Sequence, residues 1–147
     1  MSEDIFLFTQ KHLDECASLF IEVFNNQPWN ESWTFETAQS LLSQILNTPG
    51  FIGLILRKQG KILGFVIGCC EQRDKSKNFY LKEICVSSNE QRRGIGSELI
   101  RHLMNQLKET GVNSVYLLTM KDEYIKEFYL KNGFQVSQRM IMMIKHL

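Results

Sequence analysis

The sequence predicts an α/β fold whose elements run β-α-α-β-β-β-α-β-α-β-β through one domain, residues 1–147. Three observations carry that reading. Segments with apolar residues at three- and four-residue spacing are interleaved with short β-rich runs. An extended apolar stretch, residues 79–86, passes through a glycine-bearing link into a helical run from Ser97. A chain of 147 residues is also the right size for one domain with a proper core.

Residues 5–9 are a short apolar run and the first strand. Leu13, Cys16, Ala17, Phe20, Val23 and Phe24 then recur at helical spacing, and this helix ends near Asn25-Asn26. His12, Asp14, Glu15 and Glu22 take its polar side. Residues 27–33 (QPWNESW) form an aromatic loop constrained by Pro28. Two readings of this loop stand level. Either Trp29 and Trp33 plug the core, or with Glu31 they wall an acceptor pocket, since aromatic faces and a carboxylate suit a cationic amine. Thr34 caps a second helix, with Phe35, Ala38, Leu41, Leu42 and Ile45 inward, and Pro49-Gly50 stops it.

Residues 51–57 and 61–70 are two strands of a hairpin across Lys58-Gln59-Gly60. Gly64 and Gly68 mark bulges or close backbone contacts within the second. The central strand at 79–86 leads into a helix with Leu99, Ile100, Leu103 and Leu107 on one stripe, closed by Gly111. Residues 114–119 make another strand. Asp122 caps a final helix carrying Tyr124, Ile125, Phe128 and Tyr129, which ends at Asn132-Gly133. Residues 134–138 and 140–145 are expected to close the fold as a strand pair. The second of these is apolar on both faces, which burial within the sheet explains, a dimer contact being the alternative.

A net charge of +1 gives no basic field for nucleic acid or an anionic membrane. Cys16, Cys69, Cys70 and Cys85 show no C-x-x-C spacing, and three lie in apolar runs. They read as buried, reduced thiols of a cytoplasmic protein. The N-terminal residues lack a basic region followed by a signal-length apolar run, and no segment has the length of a membrane span. No metal is expected.

The link Gln91-Arg92-Arg93-Gly94-Ile95-Gly96 is the place to look for a phosphate. Glycines let the backbone approach a ligand, and the first N–H groups of a helix have no internal partner. A Walker loop is excluded, because Ser97-Glu98 follows Gly96. A dinucleotide fingerprint is excluded too, because Leu99 stands where its third small residue belongs.

The remaining pattern, Gln91-x-x-Gly94-x-Gly96, resembles the pyrophosphate loop of the GNAT family of N-acetyltransferases, Gln/Arg-x-x-Gly-x-Gly/Ala. Residues 128–134 (FYLKNGF) resemble the end of that family's last helix. The QPWNESW loop, read through Thr34, is similar to the PWNExWT stretch of aminoglycoside 6′-N-acetyltransferase-like members. The element order extends the resemblance over nearly the whole chain. It implies a mixed central sheet with a splayed strand pair around the loop, acetyl-CoA as co-substrate with its pantetheine arm in the split, and direct acetyl transfer to a primary amine in a ternary complex.

The resemblance also implies roles for individual residues. Backbone groups at Ile84, Cys85 and Val86 serve the oxyanion and the pantetheine amide. Gln91 and the N–H groups of Arg92, Arg93, Gly94, Ile95, Gly96 and Ser97 hold the pyrophosphate, where the arginine side chains add charge or are simply solvated. Tyr129 is the general acid, since a phenol with a pKa of about 10 is protonated at neutral pH. Glu83 is the candidate base, directly or through a water, and a salt-bridged structural Glu83 is its equal alternative; Tyr80 is a weaker one. The family's Asn seven residues before the Tyr is Asp122 here, which keeps the cap and leaves its contact to the pantetheine arm open. The acceptor is expected to be a small-molecule amine, an aminosugar or polyamine. A protein N-terminus or lysine, or a CoA-binding sensor without turnover, are the other readings. Monomer and homodimer are both open.

Overall fold

Five strands lie side by side in chain order in the computed structural model, which describes residues 4–147. They are β1 (Ile5–Leu7), β2 (Phe51–Lys58), β3 (Lys61–Gln72), β4 (Lys77–Val86) and β5 (Ser114–Tyr116). Neighbours from β1 to β4 are antiparallel, and β5 runs parallel to β4, so the sheet is mixed. A parallel neighbour requires a crossover, and the helix between β4 and β5 supplies it.

The helices are α1 (Leu13–Phe24), α2 (Phe35–Leu46), α3 (Ile95–Glu109) and α4 (Glu123–Lys131). α1 and α2 cover one face of the sheet, where Phe20, Ala38 and Leu42 pack with Phe65 and Ile67. α3 covers the other, setting Leu99, Leu103 and Leu107 against Val66, Phe79 and Leu81. Alternate residues of β3 are thus buried on opposite faces, as its continuous apolar sequence requires. Thr34 caps α2 through its hydroxyl, which accepts the Thr37 N–H at 3.1 Å. Phe35, expected inside, is exposed at the first turn. Cys16, Cys69 and Cys85 are buried free thiols, and Cys70 is half-buried. No described helix is long and apolar enough to cross a membrane.

Two strand expectations are corrected. The strand from Ser114 stops at Tyr116 instead of reaching 119. Residues 134–138 and 140–145 form no strands, and Met140, Ile141, Met142, Met143 and Ile144 are exposed rather than buried in the sheet. An apolar run specifies that it needs burial; only a neighbouring edge makes it a strand, and no strand pairs with these residues on either side of the turn at Ser137. There the Ser137 hydroxyl accepts the N–H groups of Arg139 and Met140 at 3.2 and 3.0 Å.

Candidate active site

β4 and β5 pair only at Asn78, Phe79 and Tyr80 with Ser114, Val115 and Tyr116. From Leu81 to Val86 the β4 edge that faces β5 has no strand partner, so the sheet is split there. A bulge contributes to the divergence. Gly68 of β3 stands opposite Leu81, yet its neighbour Ile67 stands opposite Glu83, leaving Lys82 as the extra residue. Such a bulge bends and twists its strand. Gly68 makes the close approach possible, since a Cβ there would meet the Tyr80 carbonyl and the Phe79 ring. The Lys82 ammonium lies over the Tyr80 ring, 4.6 Å from its centre, and that ring stacks on Tyr116.

The bulge sets the facing of the residues that follow. Glu83 and Cys85 pair with Ile67 and Phe65 on the α1/α2 face, while Ile84 and Val86 pack on the α3 face. Cys85 is fully buried, its thiol 3.8 Å from the Leu19 carbonyl of α1. Glu83 is half-buried and has no ion pair among the described residues, so the salt-bridged reading of it does not hold. Burial, and then the charge of Glu31, raise its pKa to about 7.

Glu31 is held by the loop that carries it. The Trp33 indole N–H donates to its carboxylate at 2.9 Å. Asn25 in turn clamps the Trp33 main chain, accepting its N–H at 2.8 Å and donating to its carbonyl at 2.9 Å. The Trp33 ring meets Phe20 edge-on, 4.9 Å between centres, and Trp29 meets Phe24 at 5.0 Å. Both rings are half-buried plugs on α1, and the loop they anchor brings Glu31 within electrostatic range of Glu83.

Beyond Val86 the chain turns into the loop. The Gln91 side-chain amide donates to the Val86 carbonyl at 3.1 Å, tying the loop to the end of β4. Gly94 precedes α3 with φ of +81°, and Arg92 adopts φ of +72°. Among the described residues, the main-chain N–H groups of Arg92, Gly94, Ile95, Gly96 and Ser97 donate to no acceptor. No atom lies within 4 Å of where a Cβ on Gly94 would stand. Unpaired donors around open space at a helix N-terminus fit a diphosphate, as the cofactor expectation requires. Gly96 is different: it is buried, and the Phe128 ring occupies the space beside it.

The arginines are engaged locally. Arg92 donates from Nε to the Tyr124 hydroxyl at 2.7 Å and lies over that ring, while Arg93 pairs with Glu90 at 3.4 Å. Tyr124 is therefore exposed on the loop side of α4. Asp122 caps α4, accepting the Ile125 N–H at 3.0 Å. Tyr129 is half-buried between Phe128 and Phe134, with ring centres 5.1 and 5.6 Å away. Burial, and then the Glu83 charge, push its pKa up to about 12. Glu83, Glu31 and Tyr129 thus form one electrostatic group. Sequence reasoning named all three but missed the neighbours that set them, Phe128 at Gly96 and Tyr124 at Arg92; nothing in helical periodicity distinguishes those two rings from core residues.

A family model described as the acetyltransferase (GNAT) family matches residues 13–134. The tRNA(Met) cytidine acetyltransferase TmcA of Aeropyrum pernix is 40% identical over 55 residues, which is 37% of this chain; the chain spans 8% of that relative's length. Among solved structures, an aminoglycoside acetyltransferase, meta-AAC0020 from an uncultured soil metagenomic sample, in complex with sisomicin, is 21% identical with a TM-score of 0.75, covering 97% of this chain and 95% of that one. The aminoglycoside N-acetyltransferase AAC(6')-Iy in complex with CoA is 19% identical with a TM-score of 0.76, covering 98% and 95%. A probable acetyltransferase reaches a TM-score of 0.81 at 20% identity, covering 97% of each chain. The likeness to these structures is one of fold. Because the family model runs from the start of α1 to Phe134 and takes in the split strand, the loop and the last helix, the chain belongs to the acetyltransferase (GNAT) family.

Proposed function

We propose that this chain, working as one domain over residues 1–147, transfers an acetyl group from acetyl-CoA directly to a primary amine of a small polycationic acceptor such as an aminosugar or polyamine. The observation that carries the reading is Glu83, a half-buried carboxylate beside the split with its pKa raised to about 7 by burial and by Glu31. A base for an amine must hold its proton loosely enough to act at neutral pH and tightly enough to take one. The acceptor arrives protonated, with a pKa of roughly 10.4 for a lysine-like amine. Glu31 and Glu83 attract that cation, and Glu83 then takes its proton, directly or through a water.

Acetyl-CoA supplies the thioester carbonyl and a thiolate leaving group. The unpaired β4 edge at Ile84, Cys85 and Val86 offers main-chain donors to the developing oxyanion and partners for the pantetheine amides. Gln91 and the free N–H groups of Arg92, Gly94, Ile95, Gly96 and Ser97, with that of Arg93 once it leaves the Glu90 carbonyl, hold the diphosphate, and the charges of Arg92 and Arg93 lie beside them. Tyr129, kept protonated by its surroundings, gives its proton to the departing sulfur, and Asp122 shapes the start of the helix that presents it. The Trp33 ring fixes the Glu31 carboxylate, and Trp29 fixes the loop. No metal enters this scheme, and no nucleic acid or membrane is a partner in it; the reaction belongs in the cytoplasm, where acetyl-CoA is at hand.

Acetyl-CoA is expected to raise the melting temperature where ATP and NAD do not. Thiol release should follow with aminoglycosides or polyamines and exceed that with lysine-bearing peptides. No release with any amine, despite stabilisation by acetyl-CoA, would leave a sensor instead of an enzyme.

A further inference from the structure

We propose that Tyr80, Tyr116 and Glu71 form a second ammonium subsite for the acceptor, that Lys82 fills it in the free protein, and that the acceptor is a linear polyamine. This rests on the reading of Glu83 as the group that takes the acceptor's proton. The strand register puts the side chains concerned on one face of the sheet. Glu83 stands opposite Ile67, Tyr80 opposite Cys69 and Asn78 opposite Glu71, with Tyr116 beside Tyr80 on β5. Residues paired across strands share a face, as do alternate residues along one strand. Ile67 and Cys69 pack in the core under α1 and α2, so the row lies on that face. Toward Glu71 the row is open to solvent: Tyr116 and Lys82 are exposed, and Tyr80 and Glu71 are half-buried.

The row already holds an alkylammonium. The Lys82 ammonium lies 4.6 Å from the centre of the Tyr80 ring and makes no ion pair among the described residues. The face of an aromatic ring attracts a cation. Tyr80 is held ready for one, since its ring stacks on Tyr116 with centres 4.5 Å apart. The Tyr116 hydroxyl donates to Glu71 Oε1 at 2.9 Å, and among the described residues no other hydrogen bond or ion pair reaches that carboxylate. A cation on the tyrosine stack therefore has a carboxylate at the far end of the stack as well as Glu83 at the near end.

The bulge supplies the resident cation. Lys82 is the extra residue of β4, and its charge reaches both Glu83 and Cys69. Its side chain, an alkyl stem ending in an ammonium, has the chemistry of one arm of a linear polyamine. A cation on an exposed ring is held weakly, so a ligand that seats one amine at Glu83 and another on the stack displaces it. Glu71 lies four residues along β3 from Ile67, the partner of Glu83, or about 13 Å. An extended triamine covers that row, whereas a monoamine meets Glu83 alone and leaves Lys82 in place.

Binding can be read apart from turnover. With CoA bound, calorimetry should find spermidine, a linear triamine, held at least ten-fold more tightly than n-butylamine and more tightly than kanamycin. Glu71→Gln should cut the advantage of spermidine over n-butylamine about ten-fold. Asp74→Asn, the same charge change in the turn after β3, should leave it in place, and Lys82→Ala should widen it several-fold. In NMR spectra, the Tyr80 ring should shift the Lys82 side-chain signals upfield, and spermidine but not n-butylamine should release them. Equal affinities for the two amines, tighter binding of kanamycin, an advantage that Glu71→Gln spares, or Lys82 signals unmoved by saturating spermidine each overturn the proposal. Thiol release from acetyl-CoA with n-butylamine would then leave the acetyl-transfer reading standing. Spermidine preferred and Lys82 displaced, with no thiol released by any amine, would keep the subsite and sink that reading. Should a variant fail to fold, the wild-type affinities and the Lys82 signals decide.

Discussion

The Phe128 ring fills the space that a side chain at Gly96 would need: a Cβ there would lie 2.9 Å from Cζ and 3.2 Å from Cε1. The first turn of α3 and the middle of α4 therefore meet through a glycine and an aromatic ring, one residue before Tyr129. Gly96→Ala is expected to push α4 outward at a cost of about 1–3 kcal/mol. It should lower the melting temperature by several degrees, readable by calorimetry, and lower kcat by moving Tyr129. Gly94→Ala meets open space and a φ of +81°, so it carries only backbone strain of about 1–2 kcal/mol. It should spare kcat. Equal kcat losses in the two variants would refute the packing argument.

Glu83 should appear in the pH profile. Its pKa is raised from 4.5 to about 7 in the fold, and only the ionised form accepts a proton. The kcat/KM profile should therefore rise with pH through an inflection near 7, and Glu83→Gln should lose both the inflection and most of the rate. The stability sign follows from linkage. The folded chain holds this proton more tightly than the unfolded chain, so stability falls as pH climbs from about 4.5 to 7 and is level above. Glu83→Gln should then be more stable than wild type at pH 8 and close to it at pH 4, in urea melts at the two values.

Glu31 is one of the causes of that raised pKa, through its negative charge. Glu31→Gln keeps an acceptor for the Trp33 indole N–H and removes the charge. The inflection in kcat/KM should move to lower pH, and KM for a polycationic amine should rise. An inflection that stays in place would separate Glu31 from the catalytic carboxylate.

Tyr129→Phe removes the hydroxyl and keeps the ring between Phe128 and Phe134. Loss of a general acid is expected to cost on the order of 10²-fold in kcat. KM for acetyl-CoA and the melting temperature should change little. Because the phenol is held near 12, wild type should show no loss of rate from its ionisation below about pH 10. Unchanged turnover in the variant would remove Tyr129 from the chemistry.

Asp122→Ala deletes the acceptor of the Ile125 N–H at the start of α4. A lost N-cap costs about 1 kcal/mol. Asp122→Asn should recover most of that stability, since an amide oxygen caps as well. Rescue of stability together with an altered KM for acetyl-CoA would add a contact with the co-substrate to the capping role.

The loop was legible because its requirements are local. Gln91 and Gly94 reflect a turn and a positive φ within a few residues, both visible as residue types, whereas the need for a glycine at Gly96 comes from Phe128. The facing of Glu83 was less so. Alternation alone leaves a strand's register free, and Gly68 marked a bulge or contact without saying which residue of β4 would be extra. The aromatic loop allowed two readings because a Trp suits a core and a pocket equally. The contacts with Phe20 and Phe24 pack both half-buried rings on α1, and Glu31 gains its position through one of them.

By itself, the sequence determined the order of helices and strands as far as α4, the glycine loop before α3 and the residues able to carry a proton, because periodicity, capping and backbone freedom act over a few neighbours. Only the tertiary structure decided that Lys82 is the bulged residue, that Phe128 fills the space at Gly96, and that residues 140–147 join no strand of the sheet. The reason is the same in each case. Residue type says that a surface must be covered or a charge accommodated, while the covering partner is set by contacts between segments distant in the chain.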